Sequence, residues 1–173
     1  MTEKLGISVS PELLDLALTH RSFAYESGGI PTNERLEFLG DSVLGLVITE
    51  SLYERFPDLD ESRLSPLRSG IVNMRALAAI ARELKLGEAL KIGKGEEITG
   101  GRDKNSILAD AFEALVGAIY IDKGYAKTRE IILTLMARSI EEASIRGVGL
   151  DGKTALQEIV ASSGWGVPEY RVS

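Results

Sequence analysis

The sequence has no cysteine and a single histidine, His20, among 173 residues. The first absence excludes disulfides, thiolate metal sites and a cysteine nucleophile. The second excludes a multi-histidine zinc centre and any mechanism that needs two imidazoles. No apolar run approaches the roughly 18 residues a membrane-spanning helix requires, so no membrane association is expected. The N-terminal MTEKLGISVS lacks the charged-then-apolar profile of a secretory signal. A cytoplasmic location is the default expectation.

What is present is ordinary for a globular chain: 44% apolar and 27% charged residues. Acids outnumber bases by 26 to 20, for a net charge of −6. Alone, that sign argues against a nucleic-acid partner. A clustered acidic site that loads metal ions can still accept phosphate, so the sum decides little.

The informative stretch is NERLEFLGDS, residues 33–42. Asn33 is a good N-cap, and the helical pattern runs from Glu34 to about Phe56. Glu34, Glu37 and Asp41 fall on one stripe roughly 60° wide. Ordinary solvated faces place a Lys or Arg three or four residues from each acid, and like charges at that spacing cost helix stability. Here no base stands at those positions. Leu36, Leu39, Val43, Leu46 and Val47 form the expected core face.

Other helices read from caps and periodicity. Ser10-Pro11-Glu12 opens one that ends near His20, and residues 25–32 read as a loop. A helix from Asp60 to Val72 follows Pro57, with Pro66 tolerable only near its first turns. Asn73 caps the next, with Gly87 as its stop. Residues 88–104, rich in glycine and charge, read as a short turn and then a surface loop. Asn105 or Ser106 caps a helix from Ile107 to Asp122, closed by Gly124. A long amphipathic helix from Ala126 to Arg146 completes an all-α unit, residues 1–146. Residues 147–152 read as a linker. Residues 153–173 read as a short helix and the start of a strand, an incomplete α+β unit, because a lone strand is not stable.

On the second acidic helix Asp110 and Glu113 again lack any base at helical spacing. If the two helices pack face to face, Glu37, Asp41, Asp110 and Glu113 converge. Four carboxylates with no imidazole or thiol are a hard, oxygen-only ligand set suited to Mg²⁺ or Mn²⁺, and phosphodiester hydrolysis is the reaction class such a site suggests. A di-iron centre would need Glu-x-x-His motifs, and Ala17 stands three residues before His20. GVGLDGKT, residues 147–154, fits the P-loop pattern in letters but follows a helix rather than a strand, so nucleotide binding is an unfavoured alternative. His20 reads as a hydrogen-bonded structural group. Phe38, beside Gly40, Ser42 and Gly45, fits either close intramolecular packing or a symmetric contact with a second copy.

NERLEFLGDSVL (33–44), NSILADAFEALVGAIYID (105–122) and LTHRS (18–22) together resemble the endonuclease domain of bacterial ribonuclease III, in order and at fitting spacing over residues 5–146. DGKTALQE from Asp151 is similar to the opening of the double-stranded-RNA-binding domain that follows in that family, although Gly152 stands where an aromatic is usual. The resemblance implies a homodimer that cuts double-stranded RNA with Mg²⁺, leaving 5′-phosphate and 3′-hydroxyl ends, in rRNA and mRNA processing. It implies Glu37, Asp110 and Glu113 as metal ligands, and Asp41 with Glu113 as the catalytic pair. Glu34 and Glu61 would lie in the cleft near the RNA. Phe38 would plug a socket on the partner, and Thr154, Gln157 and Glu158 would contact the minor groove. The non-enzymatic alternative is a catalytically silent RNA-binding dimer.

Overall fold

The computed structural model describes residues 8–143 and 145. Among them the fold is all-α: α1 (Pro11–Ala17), α2 (Arg21–Glu26), α3 (Glu34–Arg55), α4 (Glu61–Ile71), α5 (Met74–Glu83), α6 (Leu86–Ala89), α7 (Lys94–Ile98), a 3-10 turn (Gly101–Asp103), α8 (Asn105–Leu135) and a last helical stretch, residues 137–143. The β structure among these residues is one isolated parallel bridge, Thr19 to Lys91. The linker and the α+β unit expected from residue 147 onward, with Thr154, Gln157 and Glu158, lie outside the described residues.

The core is built on α3 and α8. Leu44, Val47 and Ile48 of α3 and Phe112, Leu115 and Ile119 of α8 are fully buried or nearly so, and Leu77 and Ala81 of α5 close the layer. The two long helices touch backbone to backbone. A Cβ on Gly40 would stand 1.8 Å from the Glu113 carbonyl oxygen, and one on Gly117 would stand 2.2 Å from that of Leu36. Only glycine fits at either place, because the obstacle is main chain and cannot rotate aside. At Gly124 φ is 74°, which breaks α8 as expected of a residue that must turn left-handed.

Several expectations are corrected. Asn33 is helical in backbone and makes no cap. Its buried amide instead donates to the Ala17 carbonyl at 3.3 Å, tying α1 to α3. Leu46 is 51% exposed and outside the core. Residues 25–32 are not all loop, since α2 continues to Glu26. Pro66 lies inside α4, in its second turn, and the helix continues through it to Ile71. Residue Lys85, at φ 59°, turns the chain after α5, whereas Gly87 sits within α6 where a Cβ would meet the Arg102 carbonyl at 2.3 Å. Residues 88–104 are structured: Leu90 and Ile92 are buried, and Arg102 Nη1 donates to the Gly87 and Leu90 carbonyls. The α8 helix starts at Asn105 without a side-chain cap, and Asn105 Oδ1 accepts from Arg82. The last long helix breaks at Met136, whose buried side chain faces the core.

Gly117→Ala is expected to lose about 2 kcal/mol of stability by forcing the helices apart. Gly70→Ala, at an open helical position with nothing within 4 Å, should gain up to about 1 kcal/mol. Urea denaturation of both variants checks the opposite signs.

Candidate metal centre

The Gly40–Gly117 contact fixes where the acids stand. Glu37 lies one turn before Gly40 on α3, and Glu113 one turn before Gly117 on α8. Close approach of the two backbones therefore brings the carboxylates together. Glu37, Asp110 and Glu113, all half-buried, offer oxygens within 4.8 Å of one another. None of the three forms an ion pair with Lys or Arg among the described residues. Asp41 is exposed and outside that triad, but its charge acts on Glu113.

The electrostatics carry the mark of an uncompensated cluster. Burial, then the charges of Asp41, Asp110 and Glu37, push the Glu113 carboxyl up to about 7. Burial and then Asp110 raise Glu37, and burial raises Asp110 against the pull of His20 and Arg21. The three groups hold protons more tightly than ordinary carboxyls, because burial disfavours their charged forms and none is paired with a base.

A cavity of about 400 Å³ opens beside the triad, lined by His20, Arg21, Asn33, Glu34, Glu37, Glu96, Lys104, Ser106, Ile107 and Asp110. Glu34 lies at its edge, with Arg21 Nη1 4.0 Å from its carboxylate and the Thr32 hydroxyl donating to it at 2.8 Å. That ion pair is a neutraliser invisible at helical spacing, because Arg21 comes from another helix. Glu61, exposed in the first turn of α4, does not line the cavity.

His20 behaves as the structural group expected, capping α2. Its Nδ1 accepts from the Ser22 N–H at 3.3 Å and lies 2.8 Å from the Ser22 hydroxyl, which accepts from Gly93 N–H. With Nδ1 accepting, the neutral ring carries its proton on Nε2. Burial holds the imidazole below its ordinary value, against the opposing pull of Glu96. The sequence reading missed Glu96 and Lys104 as cavity residues. Both fall in or at the end of the segment read as loop, and the available signal was the burial of Leu90 and Ile92, which an isolated apolar pair does not announce.

The donor set fits a divalent cation. Three carboxylates from two rigid helices, close enough to share one ion and unpaired otherwise, present the oxygen ligands that Mg²⁺ or Mn²⁺ takes.

Comparison with known proteins gives one family. Residues 10–140 match the profile of a family described as Ribonuclease-III-like. The chain is 58% identical over 170 residues to "Ribonuclease 3" of Thermobifida fusca, covering 98% of this chain and 71% of that protein. The solved nuclease domain of ribonuclease III from Campylobacter jejuni, described for structural flexibility in a region involved in dimer formation, superposes with a TM-score of 0.75 at 40% identity. It covers 81% of this chain and 96% of that one. Dicer from Pichia stipitis superposes at 0.62 with 26% identity, over 80% of this chain and 60% of that one.

The raised acids set a pH dependence for the metal-free protein. A carboxyl whose folded value is raised stabilises the fold fully below its unfolded value and loses that contribution as pH rises through the folded one. For Glu113 the window runs from 4.5 to about 7. Across it, metal-free wild type should lose about 1–2 kcal/mol relative to Glu113→Gln, after discounting for solvent screening. Denaturation in EDTA at the two ends of the window measures this, and saturating Mg²⁺ should abolish the difference in slope.

Proposed function

As the chain belongs to the ribonuclease III family, we propose that it is an endoribonuclease that hydrolyses double-stranded RNA with Mg²⁺, which Mn²⁺ can replace. The observation that carries this reading is the triad: Glu37, Asp110 and Glu113 within 4.8 Å and without a basic partner among the described residues. A cluster that is costly to the fold is explained when its partner arrives with the reaction.

In this reading Glu37, Asp110 and Glu113 hold the ion. When bound, Mg²⁺ neutralises phosphate charge and polarises the phosphoryl oxygen. Asp41 and Glu113 are the catalytic pair. Asp41 is exposed to solvent one turn beyond Glu37 on α3, and its charge raises the proton affinity of Glu113. Water adds to phosphorus and the bond to the 3′ oxygen breaks, which leaves a 5′-phosphate and a 3′-hydroxyl. Glu34 belongs to the substrate side of the cavity, where Arg21 screens it. Glu61 has a place in the RNA cleft by resemblance alone.

The dimer forms through the exposed face of α3. Phe38 is 78% exposed on the same helix as the triad's Glu37, and a second copy is the partner that would bury it. The Campylobacter jejuni domain, studied for dimer formation, supports the assignment. Residues 153–173, with Thr154, Gln157 and Glu158, would add minor-groove contacts to the shape of A-form RNA. Processing of rRNA and mRNA in the cytoplasm is the setting. Among the described residues no helix is long and apolar enough to cross a membrane. A silent RNA-binding dimer would have no need of three clustered acids without a basic partner, and their presence favours the enzyme.

Glu113→Gln should keep its far-UV circular dichroism spectrum and its dimer yet cut a long RNA duplex at least 100-fold more slowly, a loss on the scale of a missing catalytic group. A gel of products with EDTA as control decides it, and Mg²⁺-dependent cutting by the variant at the wild-type rate would remove Glu113 from the mechanism. Phe38→Ala should shift sedimentation equilibrium towards monomer while far-UV circular dichroism stays unchanged.

A further inference from the structure

One cation in the cavity is built differently from the others on the surface. Lys104 Nζ donates to Glu96 Oε1 at 2.5 Å and to Thr99 Oγ1 at 2.8 Å. Thr99 uses its own hydroxyl proton on the Glu96 carbonyl at 3.0 Å, which leaves its lone pairs for the ammonium. Glu96 is half-buried, with its side chain 25% exposed. An ammonium has three donors. Two are spent on these acceptors, and the third has no protein partner among the described residues.

The surroundings say what the third is for. Lys104 lines the same cavity as Glu37 and Asp110. The lining holds four acids, Glu34, Glu37, Glu96 and Asp110, against two full cations, Arg21 and Lys104. Arg21 is loosely held, its side chain 74% exposed and its contact with Glu34 at 4.0 Å. Lys104 is fixed. A lysine normally loses rotamer freedom on gripping a ligand, but folding has already ordered this one. Glu96 is occupied by Lys104 and is absent from the carboxylates that cluster within 4.8 Å. Its part is to aim the ammonium.

We propose that Lys104, held by Glu96 and Thr99, binds a backbone phosphate of the RNA beside the Glu37–Asp110–Glu113 triad through its free N–H. This rests on the nuclease reading above. The rival account is that the Lys104–Glu96 pair only fastens α7 to the start of α8.

The test uses the whole chain and a duplex RNA in Ca²⁺, with integrity of the duplex verified on a gel. Lys104→Met should weaken binding about fivefold to tenfold at 0.1 M salt and lower the slope of log affinity against log salt by about one, the signature of one lost phosphate contact. Lys104→Arg should restore most of both. In Mg²⁺, KM should rise more than kcat falls, and the Mn²⁺ affinity of Lys104→Met, read by calorimetry, should stay within about twofold of wild type. If Lys104→Met fails to fold, Lys104→Gln carries the same comparison. Wild-type affinity and salt slope in the variant would overturn the proposal. So would a lowered melting temperature with no rescue by Lys104→Arg, the pattern of a fastener. A wild-type chain that neither binds nor cuts duplex RNA would instead defeat the nuclease reading, and this proposal with it.

Discussion

Two glycines in contact across a pair of helices govern the molecule. Because Gly40 and Gly117 have no side chains, the main chains of α3 and α8 meet where a methyl group on either would collide with a carbonyl. At ordinary interaxial distances of about 8–10 Å, the carboxylates one turn earlier on each helix would be kept apart by the intervening side chains. At this closer approach they share a space. The site is therefore a property of the crossing, and each acid alone would be an ordinary half-exposed residue. The hydrophobic layer of Leu44, Ile48, Phe112 and Leu115 holds the crossing shut against the repulsion of the charges it assembles.

This division explains what the sequence displayed. Helix starts at Ser10, Asp60 and Asn73 were legible because each cap is a local event: a side chain accepts from an N–H three residues on. The convergence of Glu37, Asp110 and Glu113 was legible because a missing base leaves a gap at fixed spacing, although Asp41, expected to join them, stays exposed outside the cluster. Asn33 defeated the same logic. It has the right side chain in the right place, but its backbone is helical, its side-chain N–H donates to a buried carbonyl sixteen residues back, and its oxygen makes no cap bond. Tertiary demand took precedence over local preference, since an unsatisfied buried carbonyl costs more than a missing cap.

The segment from Leu86 to Lys104 fails for another reason. Its short helices are too brief to show a period, and their order comes from partners far along the chain. Arg102 binds two carbonyls of α6 and its border, Lys94 N–H meets Glu26, and Lys91 pairs with Asp15. The break at Met136 is equally silent, because Met is a good helix former and carries no stop signal. Phe38 and Leu46 mark the converse. Apolar residues at helical spacing were read as core or left open, and one chain by itself leaves both exposed. Periodicity records which residues avoid water and says nothing of whether the same chain or a second copy covers them.

The charge balance then takes on a different meaning. A net −6 chain handling a polyanion looks contradictory only if charge is summed over the surface. Locally the acids are spent in different ways. Glu96 and Glu97 are tied to Lys104 and Arg102, which hold both carboxyls below their ordinary values. Among the carboxyls of the described residues, the triad alone is left with raised proton affinity. A group that prefers its proton in the folded state destabilises that state when ionised, so at neutral pH the apo fold carries a repulsion it does not resolve internally. Anything that binds the folded chain and not the unfolded one returns that energy as affinity. The same unmet charge therefore links ion capture to stability, and it explains why the acids lie on the two most deeply packed helices: a looser scaffold would relieve the repulsion by moving them apart, and the site would dissolve.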